Sequence, residues 1–130
     1  MNPAANKLIQ KNICNPNNSS YPNFAPSIYN LNVSTSVAGA YTVVHIIGDN
    51  FLPPVYGITY VNFGIFTNIP IIFYSTFNIS FVVPQDAVAT TYPYNVEVVN
   101  VYNNNFGSSI NYRAVGSNVY SNNVSYTITN

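Results

Sequence analysis

Few side chains in this sequence could support catalysis or hold a metal ion, and they lie far apart along the chain. His45 is the only histidine and lies among alternating apolar residues, whereas a metal site or a nucleophile relay would need further ligands or an acid that orients the ring. Asp49 follows Gly48 in a predicted turn, where a carboxylate ordinarily caps main-chain amides. Cys14 is the only cysteine, so no intrachain disulfide can form. The sequence therefore predicts no catalytic residue, no metal site and no cofactor, and we interpret the protein as non-enzymatic.

Charge is nearly absent from the chain. Charged residues make up 5% of its 130 positions, against roughly 25% in an average soluble domain, and the formal net charge is zero. This argues against nucleic-acid binding, because Lys7, Lys11 and Arg113 are the only basic residues available to neutralise phosphates. The polar residues are instead mostly Asn, Tyr, Ser and Thr, a composition typical of surfaces that pack against other proteins.

The first 25 residues differ from the rest of the chain. Residues 1–25 are rich in Asn and Pro and contain one short apolar run, Leu8, Ile9 and Ile13, so we predict an extended N-terminal arm. The N-terminus lacks the apolar core of a signal peptide, and no stretch has the length and apolarity of a membrane span. We therefore predict synthesis in a cytoplasm without secretion.

Residues 26–130 have the pattern of an all-β sandwich. Apolar and polar residues alternate, and turn residues recur every eight to twelve positions. An insertion is predicted at residues 103–121, as a polar loop or an extra hairpin, and no helix of normal length is predicted. The predicted strands are Ser27–Val33, Tyr41–Ile47, Ile58–Phe63, Ile69–Tyr74, Phe77–Val83, Tyr94–Tyr102 and Val124–Thr129.

One face of these strands is predicted to form the core. Gly48 and Gly64 are predicted to end strands sharply, with the positive φ angle that glycine tolerates. The predicted core residues are Val44, Ile46, Phe51, Val61, Phe63, Ile79, Phe81, Val83, Val96, Val98, Val124, Tyr126 and Ile128.

The opposite face of two strands is also apolar, which is unusual for a sandwich. Such a face is covered either by the chain's own insertion or by another chain, and the sequence leaves both possibilities open. The predicted interface residues come from this face, the arm and the insertion: Leu8, Ile9, Ile13, Tyr41, Val43, His45, Ile58, Tyr60, Phe106, Tyr112 and Tyr120.

The order of several short motifs resembles the IPT/TIG family of immunoglobulin-like domains. The chain has Ile46-Ile47-Gly48-Asp49-Asn50-Phe51 and Val61-Asn62-Phe63-Gly64, followed by Val82-Val83-Pro84, Val96-Glu97-Val98-Val99-Asn100 and a final strand at residues 124–128. The resemblance covers roughly residues 26–102 and 122–129. It implies an immunoglobulin-like β-sandwich, although the Gly-Gly usual before the second strand is reduced to Gly39 and the last two strands are separated by the insertion.

Immunoglobulin-like domains of this kind also serve as additions to virus particles, and the Asn-rich composition resembles that of large DNA viruses. By this analogy we predict a virion structural protein, a minor capsid or decoration module that binds major capsid proteins, other virion proteins or itself. Two alternatives remain open. The tyrosines could stack on sugars in a carbohydrate-binding or adhesin module, or the apolar outer face could build a homopolymeric fibre through edge pairing.

Overall fold

A computed structural model of the protein describes residues 25–102 and 118–130. Over these ranges the chain is all-β and contains no helix, as the alternation predicts. The predicted arm, apart from Ala25, and most of the predicted insertion lie outside the described residues. The strands are β1 (Ser27–Leu31), β2 (Thr35–Val37), β3 (Val43–Asp49), β4 (Gly57–Phe63), β5 (Phe66–Pro70), β6 (Ile72–Ser75), β7 (Asn78–Val82), β8 (Tyr94–Tyr102), β9 (Asn118–Tyr120) and β10 (Val124–Thr129).

The strands form two sheets that pack as a β-sandwich. The four-stranded sheet has the order β1-β3-β7-β6, and the six-stranded sheet has the order β2-β10-β8-β4-β5 with β9 beside β8. All the pairings are antiparallel except that of β2 with β10. The chain therefore changes sheets repeatedly, first between β1 and β2.

The longest strand, β8, organises the six-stranded sheet. It pairs from Val96 to Tyr102 with β4 on one side, and with β9 and β10 on the other. The register changes by one residue between Val99↔Tyr120 and Val96↔Val124, so a bulge separates β9 from β10. At this bulge the Asn122 side chain pairs with the main chain of Ile28 in the other sheet, accepting from its N–H at 2.8 Å and donating to its carbonyl at 3.1 Å. Asn122 thus ties the two sheets together.

The core lies between the inner faces of the two sheets. Twelve of the thirteen predicted core residues are buried, and the thirteenth, Val124, is half-buried against them. At the centre the Phe63 ring contacts three aromatic rings, those of Tyr94, Tyr126 and Phe81, at centroid distances of 4.8, 5.3 and 6.0 Å. Alternation also omitted some buried residues, because they lie at strand ends or in loops: Ile28, Leu52 and Ala87.

The strand prediction is wrong at one place that matters for the surface. Residues 69–74, predicted as one strand, divide between β5 and β6, which belong to different sheets. Pro70 ends β5 because proline has no N–H with which to continue a ladder. The short β2 was also not predicted, and β9 adds to the sheet three residues that were assigned to the insertion.

The two singled-out glycines have different roles. Gly64 has φ of +59°, as predicted for a sharp strand end. Gly48 does not break β3, which continues to Asp49, and it has no positive φ. Instead, a Cβ at Gly48 would overlap the Ser27 carbonyl oxygen of the adjacent β1. The prediction that the strand ends at Gly48 is therefore wrong, and the turn comes at Asn50, the last residue of the predicted Gly48-Asp49-Asn50 turn, which has φ of +62°.

Tyr94 fixes the connection that enters β8. Its hydroxyl donates to the Val88 carbonyl at 2.7 Å and accepts from the Val88 N–H at 3.1 Å. The phenol thus closes the loop between β7 and β8 onto the start of β8, while its ring stacks on Phe63.

We expect Tyr94→Phe to lower the free energy of unfolding by about 1–1.5 kcal/mol, because both Val88 groups lose their partner while the ring packing is retained. Tyr92→Phe is the matched control, since Tyr92 is 80% exposed and lies two residues away. Urea unfolding of both variants gives the comparison. Equal midpoints for the two would show that the Tyr94 hydroxyl does not stabilise the loop.

Candidate functional site

The outer face of the four-stranded sheet is apolar and exposed. The register places Val43 opposite Val82 and His45 opposite Ser80, and Ser80 is in turn opposite Ile72. These side chains share the outer face because directly paired residues point the same way. We call this surface the apolar face and define it by its large exposed side chains: Val43, Ile47, Ile72, Tyr74 and Val82.

Polar side chains at the centre of the apolar face contact one another through ring stacking and hydrogen bonds. The rings of His45 and Tyr74 stack with a centroid separation of 5.4 Å, and His45 Nδ1 lies 3.4 Å from Asn78 Oδ1. Ser80, on β7 between β3 and β6, is 1% exposed, and its hydroxyl donates to Tyr74 Oη at 3.3 Å. His45 therefore has aromatic and amide neighbours, and its cross-strand serine is buried.

Asp49 lies at the end of the apolar face, two residues beyond Ile47 in β3, and Glu97 lies on the other sheet. Asp49, at the end of β3, accepts hydrogen bonds from the Asn50 N–H at 2.8 Å and from Tyr29 Oη at 3.4 Å. Glu97, on the other sheet, accepts from Asn62 Nδ2 at 3.1 Å. Within residues 25–102 and 118–130, no group of three or more His, Cys, Asp or Glu side chains could hold a metal ion.

The predicted interface residues divide between two opposite surfaces. Val43 and His45 lie on the apolar face, and Tyr41 precedes β3 with its hydroxyl donating to Gln85 Oε1 at 2.7 Å. The others belong to the six-stranded sheet, where Tyr60 and Tyr120 flank Val99 on its outer side. Ile58 and Tyr60 do not share a surface with Val43, because β3 and β4 are in different sheets. The sequence interpretation, which assigned these residues to one apolar face, is therefore wrong. Five predicted interface residues lie outside the described ranges: Leu8, Ile9, Ile13, Phe106 and Tyr112.

The tyrosines considered for sugar stacking do not form one platform. Tyr102 is buried, and Tyr94 uses its hydroxyl inside the loop before β8. Tyr74 and Tyr120 are half-exposed but lie on different sheets. No arrangement among the described residues favours carbohydrate binding, which stays a prediction.

A cavity of about 420 Å³ lies at the edge of the sandwich, where β5 ends at Pro70. This cavity was not predicted from the sequence, although Pro70 within an otherwise strand-like run was the available signal. Its lining contains no charged residue: Leu52, Pro54, Gly57, Ile58, Thr59, Tyr60, Pro70, Ile71 and Phe73. We call it the edge groove.

A buried polar network holds the loop that borders the edge groove. Asn100 is fully buried, and its amide nitrogen donates to the Asn50 carbonyl at 2.9 Å. The Thr59 hydroxyl lies 3.2 Å from both the Leu52 carbonyl oxygen and Asn100 Oδ1. This network fixes the loop between β3 and β4 to β4 and β8, so the groove wall at Leu52 is preformed.

No family model matches the chain, and no curated protein is significantly similar to it. Among the residues that the structure describes, there is no helix with the length and apolarity needed to cross a membrane.

Proposed function

We propose that this chain is a non-enzymatic assembly module, an immunoglobulin-like β-sandwich that packs against a second copy of itself through the apolar face. We further propose that it works as a structural protein of a virion, as a minor capsid or decoration component. The observation that carries the assembly role is the exposed, uncharged apolar face of the four-stranded sheet.

The strand order supports the immunoglobulin-like class. In immunoglobulin domains one sheet contains strands A, B, E and D and the other contains G, F and C. In the same order, β1, β3, β7 and β6 match the first set, and β10, β8 and β4 match the second. Tyr94 matches the tyrosine that starts strand F and bonds back to the preceding loop. The position two residues later, a cysteine in antibody domains, is the buried Val96.

Within that class, we propose that the chain is related to the IPT/TIG family, on the basis of the motifs quoted above. The virion setting is supported by the composition and by the use of such domains as additions to capsids, which is an analogy.

The chemistry of the apolar face favours a second copy as its partner. Val43, Ile72 and Tyr74 are each half or more exposed, and the one charged residue in the four strands of this sheet is Asp49, at the end of β3. The central parts of two such faces can therefore approach without like-charge repulsion and without leaving a charge buried and unpaired.

The area of the four-stranded sheet determines how strong a contact between two copies is expected to be. The four strands have four to seven residues each and cover roughly 340 Å², from spacings of about 4.8 Å between strands and 3.4 Å along them. A standard interface buries about 800 Å² per partner, so a single contact is expected to be weak. Repeated copies in an assembly would add such weak contacts through avidity.

Carbene footprinting at increasing protein concentration tests this role. We expect labelling of Val43, Ile72 and Val82 to fall as concentration rises. Val55 and Ile65 are the internal controls, because they are 72% and 87% exposed and lie off the apolar face. Unchanged labelling of the face at every concentration, or an equal decrease at the controls, would contradict self-packing through this face.

A further inference from the structure

We propose that the edge groove is the docking site for the chain's own N-terminal segment, with residues 8–13 inserted between the loop before β4 and the start of β6. This inference does not depend on the proposed function, because the groove lies at the sandwich edge. Of β6 and the turn before it, Phe73 and Ile71 line the groove, and neither belongs to the apolar face.

The groove is bordered by a strand that lacks a partner on that side. The pairing of β4 with β5 ends at Tyr60↔Pro70, where the Thr59 carbonyl faces the Ile71 N–H because Pro70 has none, so Gly57 and Ile58 extend beyond the ladder. On its other side β4 remains paired with β8 as far as Gly57↔Tyr102. An extended segment can add to such an edge, with its main chain along the strand and its side chains in adjoining pockets.

The direction of the main-chain groups fits this mode. Gly64 N–H donates to the Asn95 carbonyl of β8 at 2.9 Å, and successive residues of a strand alternate in direction. The even-numbered residues of β4 therefore bond to β8, and the main-chain groups of Gly57 together with the Thr59 N–H lie on the open side. The start of β4 thus presents main-chain groups beside an apolar cavity.

The occupant follows from the position at which the described chain begins. Asn50 Nδ2 donates to the Ala25 carbonyl at 3.3 Å, so the N-terminal segment leaves the sandwich at the loop that carries Leu52. Leu52 itself lines the groove, two residues after Asn50. Residues 14–24 can span about 36 Å when extended, which is more than enough to reach the groove.

The composition of the segment matches the groove. Leu8, Ile9 and Ile13 are its aliphatic side chains in a stretch otherwise rich in Asn and Pro. A cavity of 420 Å³ holds about three groups of benzene size, given that about 150 Å³ holds one. Lys7 and Lys11 would keep their ammonium groups in water while the aliphatic side chains enter the groove.

Hydrogen exchange of the full-length protein, read on peptides from residues 1–24, tests the proposal. We expect amides of residues 8–13 to exchange at least tenfold more slowly than an unstructured chain. Ile58→Glu, which places a carboxylate on the groove lining, is expected to abolish that protection. Ile65→Glu is the matched control, since Ile65 is 87% exposed and does not line the groove, and it should leave protection unchanged.

A second variant keeps the test valid if Ile58→Glu fails to fold. Leu8→Ser with Ile9→Ser alters none of the described residues, and it should speed exchange at Gly57 and Thr59 in the groove wall. Protection that survives dilution supports docking within one chain, and protection lost on dilution supports docking into a second copy. Exchange of residues 8–13 at the unstructured rate in the unmodified protein would overturn the proposal, as would protection that persists in folded Ile58→Glu.

Discussion

We expect Phe63→Ala to lower the free energy of unfolding by about 3–5 kcal/mol, the range typical of a large buried aromatic. Phe63 is 0% exposed and its ring is within 6.0 Å of three other aromatic rings, so its removal leaves a cavity that neighbours from both sheets cannot close. Urea unfolding followed by far-UV circular dichroism measures the change. Phe77→Ala is the matched control, because Phe77 is 59% exposed, and it should cost less than about 1 kcal/mol. Similar midpoints for the two variants would mean that Phe63 is not at the centre of the core.

Asn100→Asp is expected to cost about 3–5 kcal/mol at pH 7. It replaces the amide that donates to the Asn50 carbonyl with a buried carboxylate that has no partner charge. Burial raises the pKa of the introduced carboxyl above its unfolded value of about 3.9. The cost is therefore smallest below that value, where the carboxyl is protonated in both states, and it grows as the pH rises toward neutrality.

Unfolding midpoints between pH 3 and 7 measure this dependence, with Asn95→Asp as the control on the same strand, where residue 95 is exposed. The variants should differ most at pH 7 and least at pH 3. A penalty at position 100 that does not change with pH would show that the introduced carboxyl is not desolvated.

The inner faces of the sandwich were predictable from the sequence because period-two alternation directly reports one buried side. Val44 and Ile46 flank His45, Val96 and Val98 flank Glu97, and all four of these apolar residues are fully buried. Leu52 and Ala87 were missed because they lie in loops, where burial depends on long-range contacts and leaves no local period.

The candidate surfaces were less predictable, because which sheet a strand joins is not a local property. The outward side chains of β3 and β4 were both recognised as apolar, yet the two strands face opposite directions from the core. Similarly, residues 69–74 have the pattern of one strand, and the change of sheet at Pro70 creates the edge groove. The buried Asn100 was unexpected for the same reason, since its partners Asn50 and Thr59 are distant in sequence.

The most direct measurement of the assembly role is the mass of the full-length protein by light scattering across a concentration series. The chain has a mass of 14.3 kDa, and we expect the measured mass to rise above this value with increasing concentration. Val43→Lys combined with Val82→Lys should hold the mass at 14.3 kDa, whereas Val55→Lys combined with Ile65→Lys should behave as the unmodified protein. A mass of 14.3 kDa for the unmodified protein at every concentration would contradict self-packing through the apolar face.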